Sequence, residues 1–128
     1  MAVKTFAAIS IGSAVTEMKI FEYTSRKSMK EIDWVATRLN LGLDAYTTGR
    51  ISSKNVEELC VVLRDFKRIM DGYRVTEYRA CATSAFRESR NMLIMRDYIE
   101  KQTGLLIDVL SNSEQRFVDY QSIASVTD

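Results

Sequence analysis

From Val3 to Ile11 the chain is apolar at almost every position after Lys4, and a short unbroken run of this kind predicts a strand covered on both faces. Gly12 and Ser13 supply turn chemistry. Residues 16–23 then alternate, with Met18, Ile20 and Glu22 on one face and Lys19, Phe21 and Tyr23 on the other. A third strand fits 31–39, where Ile32, Trp34 and Ala36 are in phase. Residues 40–51 hold two glycines and no clear period, which predicts a loop. Ser52 or Ser53 is placed to cap a helix. From Val56 the apolar positions Leu59, Cys60, Leu63, Phe66, Met70 and Tyr73 follow helical spacing, widened by Val62 and Ile69, and Gly72 is the expected stop. A fourth strand is predicted over 74–82. An amphipathic helix follows through about Gln102, with Ile94, Met95, Tyr98 and Ile99 inward and Gly104 ending it. "LLIDVL", 105–110, reads as a fifth strand, and the segment from Ser111 as a last helix burying Phe117, Tyr120 and Ile123 or Ala124.

The predicted order is β-β-β-α-β-α-β-α. Two hairpin links followed by two helix crossovers give an α/β fold with a five-stranded mixed sheet, and right-handed crossovers leave few topologies. This is the ribonuclease-H-like order, shared with the core of one actin-like ATPase lobe. No linker, repeat or low-complexity tract divides the 128 residues, so a single domain over 1–128 is expected.

Composition narrows the function more than the fold. With 46% apolar and 27% charged residues the chain is expected to be globular. A net charge of +1 gives no field to draw nucleic acid or an anionic membrane, so neither is an expected partner. No apolar run approaches the ~18 residues of a membrane span, and the N-terminus lacks the apolar segment of a signal peptide. There is no histidine, which removes Ser–His and Cys–His nucleophile pairs and every His-ligated metal. Cys60 and Cys81 lie far apart in apolar stretches and read as buried thiols of a reducing compartment, so a cytoplasmic location is expected.

In a sheet of this order ligands gather at the carboxyl ends of the parallel strands. Three segments converge there. The turn Gly12-Ser13-Ala14 could turn backbone N–H groups toward a phosphate, although a hairpin needs Gly-Ser for its geometry in any case. Thr83, Ser84, Arg87 and Arg90 sit where a strand hands over to a helix, and free N–H groups with arginine forks suit an anion. Arginines near a positive helix end are mildly unfavourable for the helix itself, so two of them there hint at a ligand. The alternative is that they pair with Glu88 and Glu100 or face water. At the third segment, Ser111 and Glu114 form a capping box, which accounts for both residues. Glu114 is also placed to act as a general base on a water beside a bound phosphate.

Assembled in order, these segments resemble the N-terminal domain of the exopolyphosphatase/guanosine-pentaphosphate phosphohydrolase family, within the actin-like ATPase superfamily. "AAISIGS" resembles the family's A-x-I-D-I-G-S-N-S strand and phosphate loop. "TRLNLGLDAYTTGRIS", 37–52, resembles T-R-L-G-x-G-L…T-G-R-L-S. "RACATSAFRESRN", 79–91, resembles R-x-V-A-T-S-A-x-R-x-A-x-N, and "GLLIDVLSNSEQ", 104–115, resembles G-x-x-I-x-V-I-S-G-x-E-E. The resemblance implies stepwise hydrolysis of terminal phosphate from polyphosphate, or of the 5′-phosphate of guanosine pentaphosphate, assisted by magnesium. It implies phosphate contacts at Gly12, Ser13, Arg38, Thr83, Ser84 and Arg87, and a catalytic carboxylate at Glu114.

The chain departs from the family pattern at specific positions. Ser10 stands where the family has its metal aspartate, Ala14 and Val15 replace the following Asn and Ser, Asn112 replaces a glycine, and Gln115 replaces the second glutamate. A neutral hydroxyl is a poor magnesium ligand beside a carboxylate, and phosphoryl transfer leans on the metal's charge. Magnesium is therefore expected for the family but not for this chain, while the anion contacts, Asn91 included, are expected to persist. The family's second glycine-rich loop, Asp-x-Gly-Gly-Gly-Ser, has no counterpart among the five separated glycines. The expectation is one lobe of a polyphosphatase-like hydrolase, inactive alone and completed by a second lobe or a second copy. A catalytically degenerate phosphate-sensing or protein-interaction module is the alternative. A ribonuclease-H-like nuclease is disfavoured by the missing first-strand carboxylate.

Overall fold

A computed structural model describes residues 3–24 and 28–111. Strand β1 (Lys4–Ile11) turns at Gly12 into β2 (Val15–Tyr23), and β3 (Lys30–Arg38) completes an antiparallel meander. Strands β4 (Glu77–Ala82) and β5 (Ile107–Val109) then add in parallel on the other side of β1, giving the sheet order β3-β2-β1-β4-β5. This is the five-stranded mixed sheet of the ribonuclease-H-like fold. In β1 the odd positions Ala7, Ile9 and Ile11 are at most 2% exposed. On the opposite face Phe6 and Ala8 are half-buried and Ser10 is exposed. Among the described residues, therefore, helices cover one face of β1 and not both. An unbroken apolar run marks the strand but cannot separate a full cover from a half cover, because alanine fits either.

The phase predicted for β3 is corrected by a bulge. The ladder passes from Ile20↔Asp33 to Phe21↔Glu31, so Ile32 is an extra residue. One inserted residue flips the parity of everything after it. Ile32 and Val35 both pack against the core, and Trp34 points outward at 57% exposure, donating its indole N–H to Glu17 Oε2 at 2.8 Å.

Among the described residues, four helices supply the rest of the core. Residues 40–51 are not a loop: they hold α1 (Leu41–Thr48), capped by the Asn40 side chain on the Leu43 N–H and closed by Gly49 in the left-handed region. Helix α2 (Ser53–Gly72) begins at the expected cap, where Ser52 Oγ accepts from the Asn55 N–H at 3.2 Å. Its stripe of Val56, Leu59, Cys60, Leu63, Phe66 and Met70 is buried, each large apolar side chain contributing about 1.5–3 kcal/mol. The helix ends at Gly72 as expected, but not through a left-handed glycine. The chain leaves through Tyr73, and the left-handed residue is Arg74, at φ 55°. Strand β4 consequently starts at Glu77 rather than 74. A short helix α3 (Ser84–Arg87) precedes α4 (Met92–Thr103), which Gly104 ends as expected.

Helix α4 buries Met95 and Ile99, but Ile94 is 78% exposed and Tyr98 38%. The helix meets the core along a narrow i, i+4 seam, so the broader predicted stripe is corrected. Strand β5 is shorter than predicted, with Leu105 and Leu110 buried on either side of it. Cys60 lies in the core, whereas Cys81 is only half-buried, on the face opposite the helices. The predicted last helix, with Phe117, Tyr120, Ile123 and Ala124, lies outside the described residues from 112 onward. No described helix is long and apolar enough to cross a membrane.

Candidate functional site

The parallel strands β1, β4 and β5 end together, and the sequence turns sharply at each end. After Ile11, Gly12 donates its N–H to Val15 O at 3.0 Å, closing the turn in which a Cβ at Gly12 would sit 3.0 Å from that same oxygen. After Ala82, the Thr83 N–H reaches across to Ile11 O at 3.3 Å, so the start of α3 is tied directly to the end of β1. The start of α1 sits on the same turn: Leu39 N–H donates to Ala14 O at 3.0 Å and Gly42 N–H to Ser13 O at 2.8 Å.

These ties bring three hydroxyls together from three segments. Ser13 Oγ lies 3.1 Å from Ser84 Oγ and 3.2 Å from Tyr46 Oη, and Tyr46 Oη lies 2.6 Å from Ser84 Oγ. Each hydroxyl has one proton and two lone pairs, so the closed triangle can reorganise to present donors to one incoming oxyanion. Ser13 and Ser84 were legible from the sequence as candidates for an anion site. Tyr46 was not, because its segment read as a loop. The signal that could have found it is the pair of helix ends, Asn40 before and Gly49 after, framing eight residues.

The other candidate residues divide. Thr83 is the N-cap of α3 but makes no side-chain cap bond; its carbonyl accepts from the Arg87 N–H. Arg87 stands at the same end of the sheet, at the close of α3, with a side chain only 21% exposed. Its Nη1 donates to Leu110 O at 2.8 Å and its Nε lies 3.5 Å from Glu88 Oε1. The arginine thus spans from α3 to the end of β5. Arg38 ends β3 opposite Val15, beside the first turn, and is exposed. Ser10 is exposed on the sheet face away from the helices, level with Glu17 and Cys81.

The Asn91 amide clamps Ile51 through both the N–H and the carbonyl, at 3.3 and 3.1 Å. Arg90 pairs with neither Glu88 nor Glu100; its Nη2 donates to Thr48 O at 2.9 Å, while Glu100 accepts from the Ile107 N–H. Glu114, Asn112 and Gln115 lie outside the described residues, and the expected capping box with them.

Polar bonds hold α1 against the start of α2. The Ser52 N–H and the Asn55 amide both donate to Asp44 Oδ2, at 2.9 and 2.7 Å. The Ser52 backbone bond, foremost, keeps the Asp44 carboxyl below its usual range. At the base of the hairpin Thr16 is fully buried on the core face, opposite Ile11, and its hydroxyl has no hydrogen-bond partner among the described residues. A magnesium site would need oxygen ligands of high charge. The described residues hold no group of three or more acidic, cysteine or histidine side chains that could bind a metal, and Ser10 contributes a neutral hydroxyl.

Comparison with known proteins bears on this arrangement. No curated protein sequence matches the chain. Among solved structures, a Ppx/GppA family member from Aquifex aeolicus superposes with a TM-score of 0.81 at 25% identity, covering 87% of this chain and 36% of the other. An exopolyphosphatase-like protein gives a TM-score of 0.81 at 26% identity over 91% of this chain and 35% of its own. An exopolyphosphatase from Cytophaga hutchinsonii, 21% identical with a TM-score of 0.80 over 86% of this chain and 35% of its own, shows the shared fold. The chain thus spans little more than a third of these proteins' length. A model of the Ppx/GppA phosphatase family matches residues 20–127, and with the actin-like strand order already in hand, the chain belongs to that family.

Proposed function

We propose that this chain forms one wall of a phosphoanhydride-binding site, taking the terminal phosphates of inorganic polyphosphate or of guanosine pentaphosphate, with hydrolysis requiring a facing second lobe. The observation that carries the reading is the hydroxyl triangle of Ser13, Ser84 and Tyr46 at the carboxyl end of the parallel strands; Arg87 closes α3, the helix that Ser84 opens. Hydroxyl and backbone donors can follow a tetrahedral oxyanion from several directions, and a preordered arginine adds charge. Thr83 and Gly12 shape the two turns that bring those donors together. Arg38, exposed beside the hairpin, is placed for a more distal phosphate of the chain. Glu114 is assigned the water-orienting role on the family resemblance.

A second reading has its own support. Ser10 presents no charge where the family pattern has an aspartate. This favours a module that binds phosphate chains without cleaving them.

Titration calorimetry with tripolyphosphate, run beside an assay for released phosphate, separates the outcomes. Binding without release is expected from the chain. Ser84→Ala should weaken it about tenfold, by loss of a hydrogen bond to a charged group. Absence of binding by the unmodified chain would overturn the site itself. Sustained phosphate release by the chain alone would overturn both the need for a second lobe and the non-cleaving reading.

A further inference from the structure

A second concave site lies at the other end of α1, away from the hydroxyl triangle. A cleft of about 650 Å³ opens between the end of α1, the start of α2 and the first half of α4. A smaller hollow of about 330 Å³ shares Arg50, Asn91 and Ile94 with it and adds Arg90. The size is that of small-molecule sites, which run to roughly 300–1,000 Å³.

The charges around the cleft are unevenly committed. Asp44 is taken up by Ser52 and Asn55, and Glu57 by the Tyr98 hydroxyl. Asn91 is spent on Ile51. The two arginines keep their charge: neither forms an ion pair among the described residues. Arg90 is also held by one backbone bond. Its guanidinium packs where a Cβ on Gly49 would otherwise sit, 3.1 Å from Nε, and its Nη2 is anchored on Thr48 O. Its remaining donors, with those of Arg50, line the small hollow. Beyond the arginines the wall turns apolar. Met95 is buried at its back, Ile94 stands 78% exposed, and Tyr98 presents part of its ring. An isoleucine left this open on a helix that otherwise has a good core seam is an unused apolar surface beside a cationic one.

We infer that this cleft binds a phosphomonoester with an apolar or aromatic body, its phosphate between Arg50 and Arg90 and its body against Ile94 and Tyr98. The geometry suits both parts. A dianionic head accepts from two guanidinium forks, and a body laid on Ile94 removes apolar surface from water. Inorganic polyphosphate supplies the first part and not the second, so the site differs in chemistry from the hydroxyl corner. None of its residues belongs to that corner, and the inference stands apart from the proposed function.

The test is calorimetric titration of the chain with hexyl phosphate, adenosine monophosphate and inorganic phosphate. At least one ester is expected to bind about tenfold tighter than inorganic phosphate, as burial of two methylenes would give. Preference for the nucleotide or for the alkyl ester would identify the kind of body, and either supports the site. Arg50→Gln, at an exposed position, should weaken the ester about tenfold. Ile94→Asp should erase the advantage of ester over inorganic phosphate, and Ser84→Ala should leave ester binding unchanged. Esters that bind no tighter than inorganic phosphate, an Arg50→Gln chain with undiminished ester affinity, or loss of ester binding in Ser84→Ala would each overturn it.

Discussion

The two ends of α1 both meet their neighbours through a glycine, for opposite reasons. At the front, Gly42 lies in the first turn, where a Cβ would come within 2.8 Å of Ser13 Cβ. At the back, Gly49 holds φ 77°, and a Cβ there would meet Arg90 Nε at 3.1 Å. The front neighbour is a short side chain on a tight hairpin, with its carbonyl bonded to the glycine's own N–H. The back neighbour is the tip of a long side chain that can swing aside. Space makes the first glycine necessary and backbone conformation the second, so the hydroxyl corner is built rigidly while the arginine cleft keeps some give.

Substitution can break that contrast. Gly42→Ala carries the largest expected effect. Alanine gains about 1 kcal/mol of helix propensity, but overpacking against Ser13 costs about 1–3 kcal/mol. The expected net is a loss of stability together with weaker tripolyphosphate binding, read by chemical denaturation and calorimetry. A stabilised Gly42→Ala would show that the corner yields as easily as the cleft.

Gly49→Ala should cost about 1 kcal/mol, nearly all from the left-handed backbone, with tripolyphosphate affinity unchanged. Loss of that affinity would mean that the two ends are coupled through α1.

Asp44→Asn sharpens the comparison with the smallest effect, about 0.5 kcal/mol, because both bonds fall on one oxygen and an amide oxygen there can still accept them without the charge. Here the sign of the pH dependence matters. The folded carboxyl titrates below its unfolded value. Its stabilisation is therefore full above the ordinary aspartate range near 3.8 and fades as pH falls through the lower folded value. Denaturation curves of the parent and of Asp44→Asn should differ most at neutral pH and converge in acid. A constant gap would assign the effect to packing.

Much of this was legible in the chain before any coordinates. The five strands, the long helix and its Ser52 cap follow from period and turn chemistry, since burial on one face forces those patterns. What escaped was local and had physical causes. Helix α1 buries only Leu41, Gly42 and Ala45, too few positions for a stripe, and its threonines and glycine speak against a helix. Only the two caps announce it. The bulge at Ile32 removes parity as a guide to Trp34, and no residue type there advertises it. Within the candidate site, Ser13 and Ser84 could be found because glycine and helix-start chemistry mark their turns. The roles of Asn91 and Arg90 depend on which backbone lies within reach, and that is fixed by how α1 and α4 pack.

The contact between Ser13 and Ser84 joins residues 71 apart in the chain. The meander of β1, β2 and β3 can form from neighbouring segments, but this contact must await the docking of β4 on β1, and the entropy of that closure is met before any pairing repays it. The corner is therefore expected to close late in folding. An anion seated there recognises only the completed sheet, so phosphate chains should raise the melting temperature in proportion to their occupancy and leave a partly folded chain untouched.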